Sequence, residues 1–438
     1  MSAVETSGST SCILRVPSTR RQVLKGAAST AFAAPFIHIP RVAAQDAVTV
    51  TWFAGRDTTG FTPQQVEAFN AEHPEIQIDY QEQGAVTTDL HDKFVTVATA
   101  QDSTVDIVSM DVPFVPEFAA AGWTLPMADY LTEEERTEFF PGTIDGATYD
   151  GTLYAIPWFN NGPGLFYRKD LLDEAGIDPP ATYDDLVSAA TELATPDISG
   201  YIFQAVQTEG GVINFLEYLW GHGGDLLDEN MQVILGDSDA GVQAMSRLVS
   251  YLYEDQISPE ACLTMTTAAD AENVFASGEA VFLRSWMTAT SAMLGESSQV
   301  RDVWDVTTLP SADGSPGPGC LGTWNLGISA YSENVDAAVE VIKWFTSLEQ
   351  QTTRYLGNGN LPARPAVFDD AEVQEKYAYV DRLAPAFEAL KPRPVTPYYS
   401  QMSADALQPN FGAAMSQQKS PEQAVADMAD GLRQIIGG

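Results

Sequence analysis

The sequence predicts an α/β protein of two domains, and three observations carry that prediction. Short β-rich runs alternate with amphipathic helical stretches after position 46, the pattern of a parallel sheet covered by helices. The chain has 438 residues, 45% of them hydrophobic, which is enough for two cores. No fixed-period repeat runs through it, which argues against a solenoid or propeller.

The elements follow in order. Val48-Thr49-Val50-Thr51-Trp52-Phe53 reads as a strand and Ala54-Gly55-Arg56-Asp57 as the turn after it. Thr62-Pro63-Gln64-Gln65 has the composition of a helix start, with Thr62 as the cap, Pro63 at the first helical position and Gln65 at the capping-box position. Ile76, Ile78 and Tyr80 alternate as a second strand, Leu90 to Ala100 reads as a helix, and Val105 to Val108 as a third strand. Farther along, Lys169 to Ala175 predicts a helix stopped by Gly176 as a left-handed cap. Thr182 to Leu193 is the next helix, and Val242, Met245, Leu248, Val249 and Leu252 mark the apolar face of another. Glu272 to Ser277, closed by Gly278, precedes a strand at Ala280 to Leu283. Val335 to Leu348 and Pro421 to Ile436 are amphipathic helices, and the loop Pro310 to Gly319, with three prolines and three glycines, reads as a chain crossing.

Residues 1–44 read differently. The arginine pair of Thr19-Arg20-Arg21-Gln22-Val23-Leu24-Lys25 precedes a mildly apolar stretch, Gly26 to Ile39, and small residues that end at Ala44. That is the composition of an export signal of the twin-arginine (Tat) type, with cleavage expected after Ala44. The stretch is too short for a hydrocarbon core and Pro35 interrupts it, so it is not read as a membrane span. No later stretch of 18 apolar residues occurs, and the remainder reads as a soluble chain.

Charge and cysteine content narrow the function. The whole chain carries −38, and residues 1–44 hold five basic side chains and one acid, so the rest carries about −42. Such a charge repels phosphate backbones and anionic membranes, which argues against nucleic-acid or lipid binding. Cys262 and Cys320 either pair or stand as separate thiols. His73, His91 and His222 show no metal-ligand spacing, no dinucleotide motif stands out, and no G-x-S-x-G, S-x-x-K or H-E-x-x-H is present, so neither a metal nor a cofactor is expected.

Several motifs then occur in sequence. They are Gly151-Thr152-Leu153-Tyr154-Ala155-Ile156-Pro157-Trp158, Leu165-Phe166-Tyr167-Arg168-Lys169-Asp170-Leu171-Leu172, Gly278-Glu279-Ala280-Val281 leading to Trp286, Gly322-Thr323-Trp324-Asn325-Leu326-Gly327-Ile328, and Gly359-Asn360-Leu361-Pro362-Ala363-Arg364. In this order the chain resembles the family 1 extracellular solute-binding proteins of ABC importers, the group that contains maltose- and trehalose-binding proteins. The resemblance implies the two-lobed periplasmic-binding-protein fold, with a sugar held between lobes joined by several crossings. Lobe 1 would comprise residues 46–157 plus 307–362, and lobe 2 residues 158–306 plus 363–438. The expected partners are a small-molecule sugar and a membrane permease, and the protein is expected to be a monomer outside the cytoplasm, in the periplasm or at the cell surface.

A sugar site needs flat aromatic faces and planar polar groups. By the resemblance, Trp286 and Trp324 take the stacking positions, Trp324 following Gly322 at a crossing, with core packing as the alternative. Asp111, after the third strand, accepts from sugar hydroxyls or caps the loop before Phe114. Arg56 and Asp57 lie in the first strand-to-helix turn, facing the cleft or plain solvent, and Trp158 and Phe159 divide between cleft and core. Asn161 stands where relatives often carry an acid, a departure that leaves the sugar's orientation open. Arg364 matches an arginine that reaches ligand hydroxyls in trehalose-type binders, with Arg284 and Arg393 as alternates. Convergence of several arginines would point to an acidic sugar. Two other readings are a binding protein for a cation such as a polyamine, which would surround the aromatics with acids, and a secreted glycoside hydrolase with a carboxylate pair.

Overall fold

In the computed structural model the described residues are 47–437 apart from 58, 85, 86, 378, 380–386, 388 and 389. The export segment and its expected cleavage after Ala44 lie outside the described residues.

Two sheets organise the chain. The first contains β1 (Val48–Ala54), β2 (Ile76–Glu82), β3 (Ile107–Asp111), β4 (Ile156–Phe159) and β9 (Trp324–Ile328), in the order β2-β1-β3-β9-β4. The second contains β5 (Pro163–Arg168), β6 (Ser199–Ile202), β7 (Ala280–Trp286) and β8 (Trp304–Thr307), in the order β8-β5-β7-β6. The expected parallel pairing holds for β1 with β2 and β3, and for β6 with β7. It fails elsewhere: β9 is antiparallel to β3 and β4, and β5 is antiparallel to β7 and β8. The chain leaves the first sheet at the carboxyl end of β4 and re-enters it at that same end, at Trp324, so the returning strand must run the other way. The first sheet also continues through Phe159, past residue 157.

Each sheet has its own core. Trp52, Phe69, Phe94, Phe118 and Phe345 fill the first, where Trp52 meets Tyr80, Trp158 and Phe345 edge-on at centroid distances of 4.9 to 5.2 Å. Phe166, Tyr201, Phe203, Phe215, Leu248 and Phe275 fill the second, and Tyr355 and Leu361 also pack there.

Helix ends show which local signals governed. Helix α1 (Phe61–Glu72) begins one residue before Thr62, so Thr62 is not its cap. Asp57 does that work, its carboxylate accepting from the Thr62 amide at 2.6 Å and the Thr59 amide at 2.8 Å. Helix α2 (Lys169–Ala175) ends at Gly176 with φ 70°, the left-handed cap its sequence predicts. Helix α3 (Tyr183–Leu193) opens with a capping box between Thr182 and Asp185. The expected single helix Val335 to Leu348 is two, α6 (Val335–Phe345) and α7 (Leu348–Asn358), because Ser347 caps the second by accepting from the Gln350 amide. Earlier in the chain, α4 (Glu209–Gly221) and α5 (Ala268–Ala276) pack on the second sheet's core.

Candidate functional site

Strand ends converge on one place. Asp111, the last residue of β3, is the register partner of Trp324, the first of β9, which also pairs with Phe159, the last of β4. Trp286, the last of β7, lies opposite Pro163, the first of β5. The carboxyl ends of β3, β4 and β7 thus face the same region, where open α/β sheets bind ligands. A cavity of about 450 Å³ opens there, within the range of small-molecule sites. Asp111, Asn161, Trp286, Gly322 and Trp324 line it. The start of α4 adds Thr208 and Glu209, and Gln204, Gln207 and Gln408 supply amides. Both indoles are partly exposed, which leaves apolar faces available beside many neutral hydrogen-bonding groups.

Backbone hydrogen bonds tie together the segments beside the cavity. The Gly322 amide donates to the Asn161 carbonyl at 2.9 Å, the Met287 amide to Gly162 at 2.9 Å, the Asn160 amide to Leu361 at 2.7 Å and the Leu321 amide to Lys391 at 2.9 Å. Gly322 is required by close approach: a Cβ there would lie 2.9 Å from the Trp286 ring and 3.3 Å from Asn161.

The carboxylates in this cavity are already occupied. Arg393, 3% exposed, donates to Asp111 at 2.5 Å and to Glu209 at 3.0 Å. Burial opposes its charge, but these two carboxylates hold its pKa well above the ordinary arginine value. Glu209 also accepts from Tyr399 and Ser403. The first cavity therefore presents compensated charges and neutral amides.

A second cavity of about 180 Å³ shares Asn161 and Trp324 with the first and is lined further by Arg56, Asp57, Tyr80, Trp158, Phe159 and Arg354. Arg354 is 2% exposed, lies over the Trp158 ring at 4.2 Å and donates to Thr62 and Gln65. Burial pushes its pKa down to about 10, against the pull of Asp57 and Tyr80. For Asp57 burial works against the charge, and hydrogen bonds from Thr59 and Thr62 outweigh it, holding the carboxyl below its usual range.

The structure brings Arg56, Asp57, Asp111, Trp158, Phe159, Asn161, Trp286, Gly322 and Trp324 to one or other of these two cavities. It does not bring Arg364, which lines neither of them. Its guanidinium donates to the Thr346 carbonyl at 2.8 Å, pairs with Glu138 and covers the Phe139 ring at 4.0 Å. Trp158, 4% exposed, belongs mainly to the first core, and Asp57 is spent on capping α1. Arg284 is buried against Glu217 and lies 4.7 Å from the centre of the Trp286 ring, so it supports that indole from behind. Cys262 and Cys320 are free and buried, and burial pushes their thiols up to about 11 and about 12. Sequence reasoning missed Arg354, Glu209 and the glutamines. Thr208 ahead of Glu209-Gly210-Gly211 is a readable helix start that aims α4 at the cavity, whereas Arg354 carried no local signal.

The fold and site have counterparts among known proteins. The family model of the bacterial extracellular solute-binding proteins matches residues 55–352. A probable ABC transporter-binding protein of Deinococcus radiodurans is 26% identical over 348 residues, which are 77% of this chain and 81% of that protein. The solved structure of maltose-bound T. maritima MalE3 is 34% identical with a TM-score of 0.84, covering 89% of this chain and all of that one (100%). A ribitol-bound solute-binding protein of Agrobacterium radiobacter K84, 21% identical, shares the fold at a TM-score of 0.79 over 89% of this chain and 99% of its own.

Proposed function

The chain belongs to the bacterial extracellular solute-binding proteins, and from that premise we propose that it is the substrate-binding component of an ABC importer whose ligand is a sugar or polyol. The observation that carries the reading is the first cavity, with two partly exposed indoles, Trp286 and Trp324, beside Asn161, Gln204, Gln207 and Gln408. Indole faces suit pyranose C–H surfaces, and amides donate and accept for paired hydroxyls. The 34% identical structure holds maltose, which agrees with that chemistry.

In this reading the two sheets are the cores of two lobes, and the links at Asn160 to Gly162, Cys320 to Gly322 and Asn360 to Leu361 are the hinge. Ligand contacts made from both sides favour the closed form, which the permease recognises. The protein binds without catalysis, as a monomer outside the cytoplasm, after twin-arginine export and cleavage near Ala44. A cationic ligand fits less well, because the carboxylates of the first cavity are paired with Arg393. The same pairing argues against a glycosidase, since both oxygens of Glu209 are engaged and Asp111 is held as the ion-pair partner of Arg393.

The test is a thermal-shift screen over monosaccharides, disaccharides, polyols and polyamines, because a ligand that binds only the folded state raises the melting temperature. A rise with a sugar or polyol is expected. A rise with polyamines alone would replace the reading.

A further inference from the structure

We propose that the second cavity receives a carboxylate carried by the ligand, between Arg56 and Arg354, so that the sugar taken by this protein is a sugar acid. The inference rests on the sugar-binding reading above and specifies the substrate class.

Arg354 is the first ground. Three arginines lining or adjoining the site are almost fully buried, and two of them have carboxylate partners: Arg284 with Glu217, and Arg393 with Asp111 and Glu209. Arg354 has none within ion-pair distance among the described residues. Its Nη2 donates only to the neutral oxygens of Thr62, at 3.1 Å, and Gln65, at 2.6 Å, and its Nε is buried with no partner. A buried cation with no carboxylate in contact, only the more distant pull of Asp57, is costly, and an anion arriving with the ligand offsets that cost.

Arg56 is the second ground. It lines the same cavity, is exposed, and makes no ion pair or hydrogen bond among the described residues. In a chain with 60 acidic residues and 22 basic ones, carboxylates are abundant, so two arginines left without one in a single cavity is informative. The one carboxylate lining that cavity, Asp57, turns both oxygens to its own helix start, accepting from the Thr59 amide and hydroxyl on one side and from the Thr62 amide on the other.

Two further polar atoms at this cavity are buried without partners, the donor Nε1 of Trp158 and the acceptor Oδ1 of Asn161. A guanidinium held over Trp158 and beside Phe159, at 4.2 and 5.4 Å, keeps its plane fixed for side-on pairing with a carboxylate. Because Asn161 and Trp324 line both cavities, a ring in the first cavity can place its acid group in the second.

The experiment titrates the full chain calorimetrically with matched neutral and acidic sugars: glucose and glucuronate, galactose and galacturonate, mannose and mannuronate, maltose and maltobionate. At least one acid is expected to bind about tenfold or more tightly than its neutral parent, and to weaken several-fold when salt is raised toward 1 M, as screening of a charged contact requires. Arg56→Gln, at an exposed position that folding does not depend on, is expected to reduce that acid-to-neutral preference about tenfold, and Arg354→Gln to abolish it. Neutral sugars that bind as tightly as their acids in every pair, with a preference unmoved by salt or by Arg56→Gln, would overturn this inference and leave the sugar reading standing. Failure of every sugar, neutral and acidic, would overturn the sugar reading and this inference with it.

Discussion

Glu272 shows how burial at one residue sets a pH response. Its carboxyl accepts from Ser285 Oγ at 2.7 Å, yet burial pushes its pKa up to about 7 from an ordinary value of 4.5. The folded pKa lies above the unfolded one, so stability is fully present below about pH 4.5 and is lost as the pH rises toward 7, where the unfolded chain releases the proton first. Glu272→Gln is therefore expected to gain about 1–3 kcal/mol over the native protein above pH 7, with the gap closing at about pH 4. Denaturant unfolding of both proteins at the two pH values checks this, and a gap independent of pH would assign the effect to packing. The buried Arg284–Glu217 pair behaves oppositely: Glu217→Gln strands a guanidinium that is 4% exposed and should cost about 3–5 kcal/mol of stability in the same measurement. At this scale the cleft was legible where a motif fixed a strand end, as at Trp286, Gly322 and Trp324. It was illegible at Arg354 and Arg364. Both stand five residues from Gly359, and only tertiary packing sends one to the cavity and the other to Glu138.

Elements were readable when their signals were local. Gly176 and the Thr182–Asp185 box mark helix ends within one turn, and the structure has both. Thr182→Ala is expected to cost about 1 kcal/mol in denaturant unfolding and to leave ligand affinity unchanged, because the cap lies on the second lobe's helix and lines neither cavity. The start of α1 was misread because its cap, Asp57, stands five residues before the amide it satisfies. The antiparallel β9 was missed because strand direction is set by where the chain re-enters the sheet, which no period of two encodes. The π-helical stretch Met402–Leu407, which carries Ser403 to Glu209, likewise has no sequence signature.

At the scale of the whole molecule, two cores are joined through short hydrogen-bonded links beside a polar cavity, the links that the proposed function takes as a hinge. Prolonged incubation with a bound sugar should return it chemically unchanged by chromatography, since the cavity's carboxylates are engaged with Arg393. Turnover abolished by Glu209→Gln would instead establish an enzyme. The central claim, that a sugar lies against the two indoles, is tested most directly by calorimetric titration paired with denaturant unfolding on Trp286→Ala and Trp324→Ala, using the sugar found in the thermal-shift screen. The account predicts an affinity loss of about 2 kcal/mol or more with little change in the stability of the ligand-free protein. Unchanged affinity with a stability loss of about 3–5 kcal/mol would make both tryptophans core residues and contradict it.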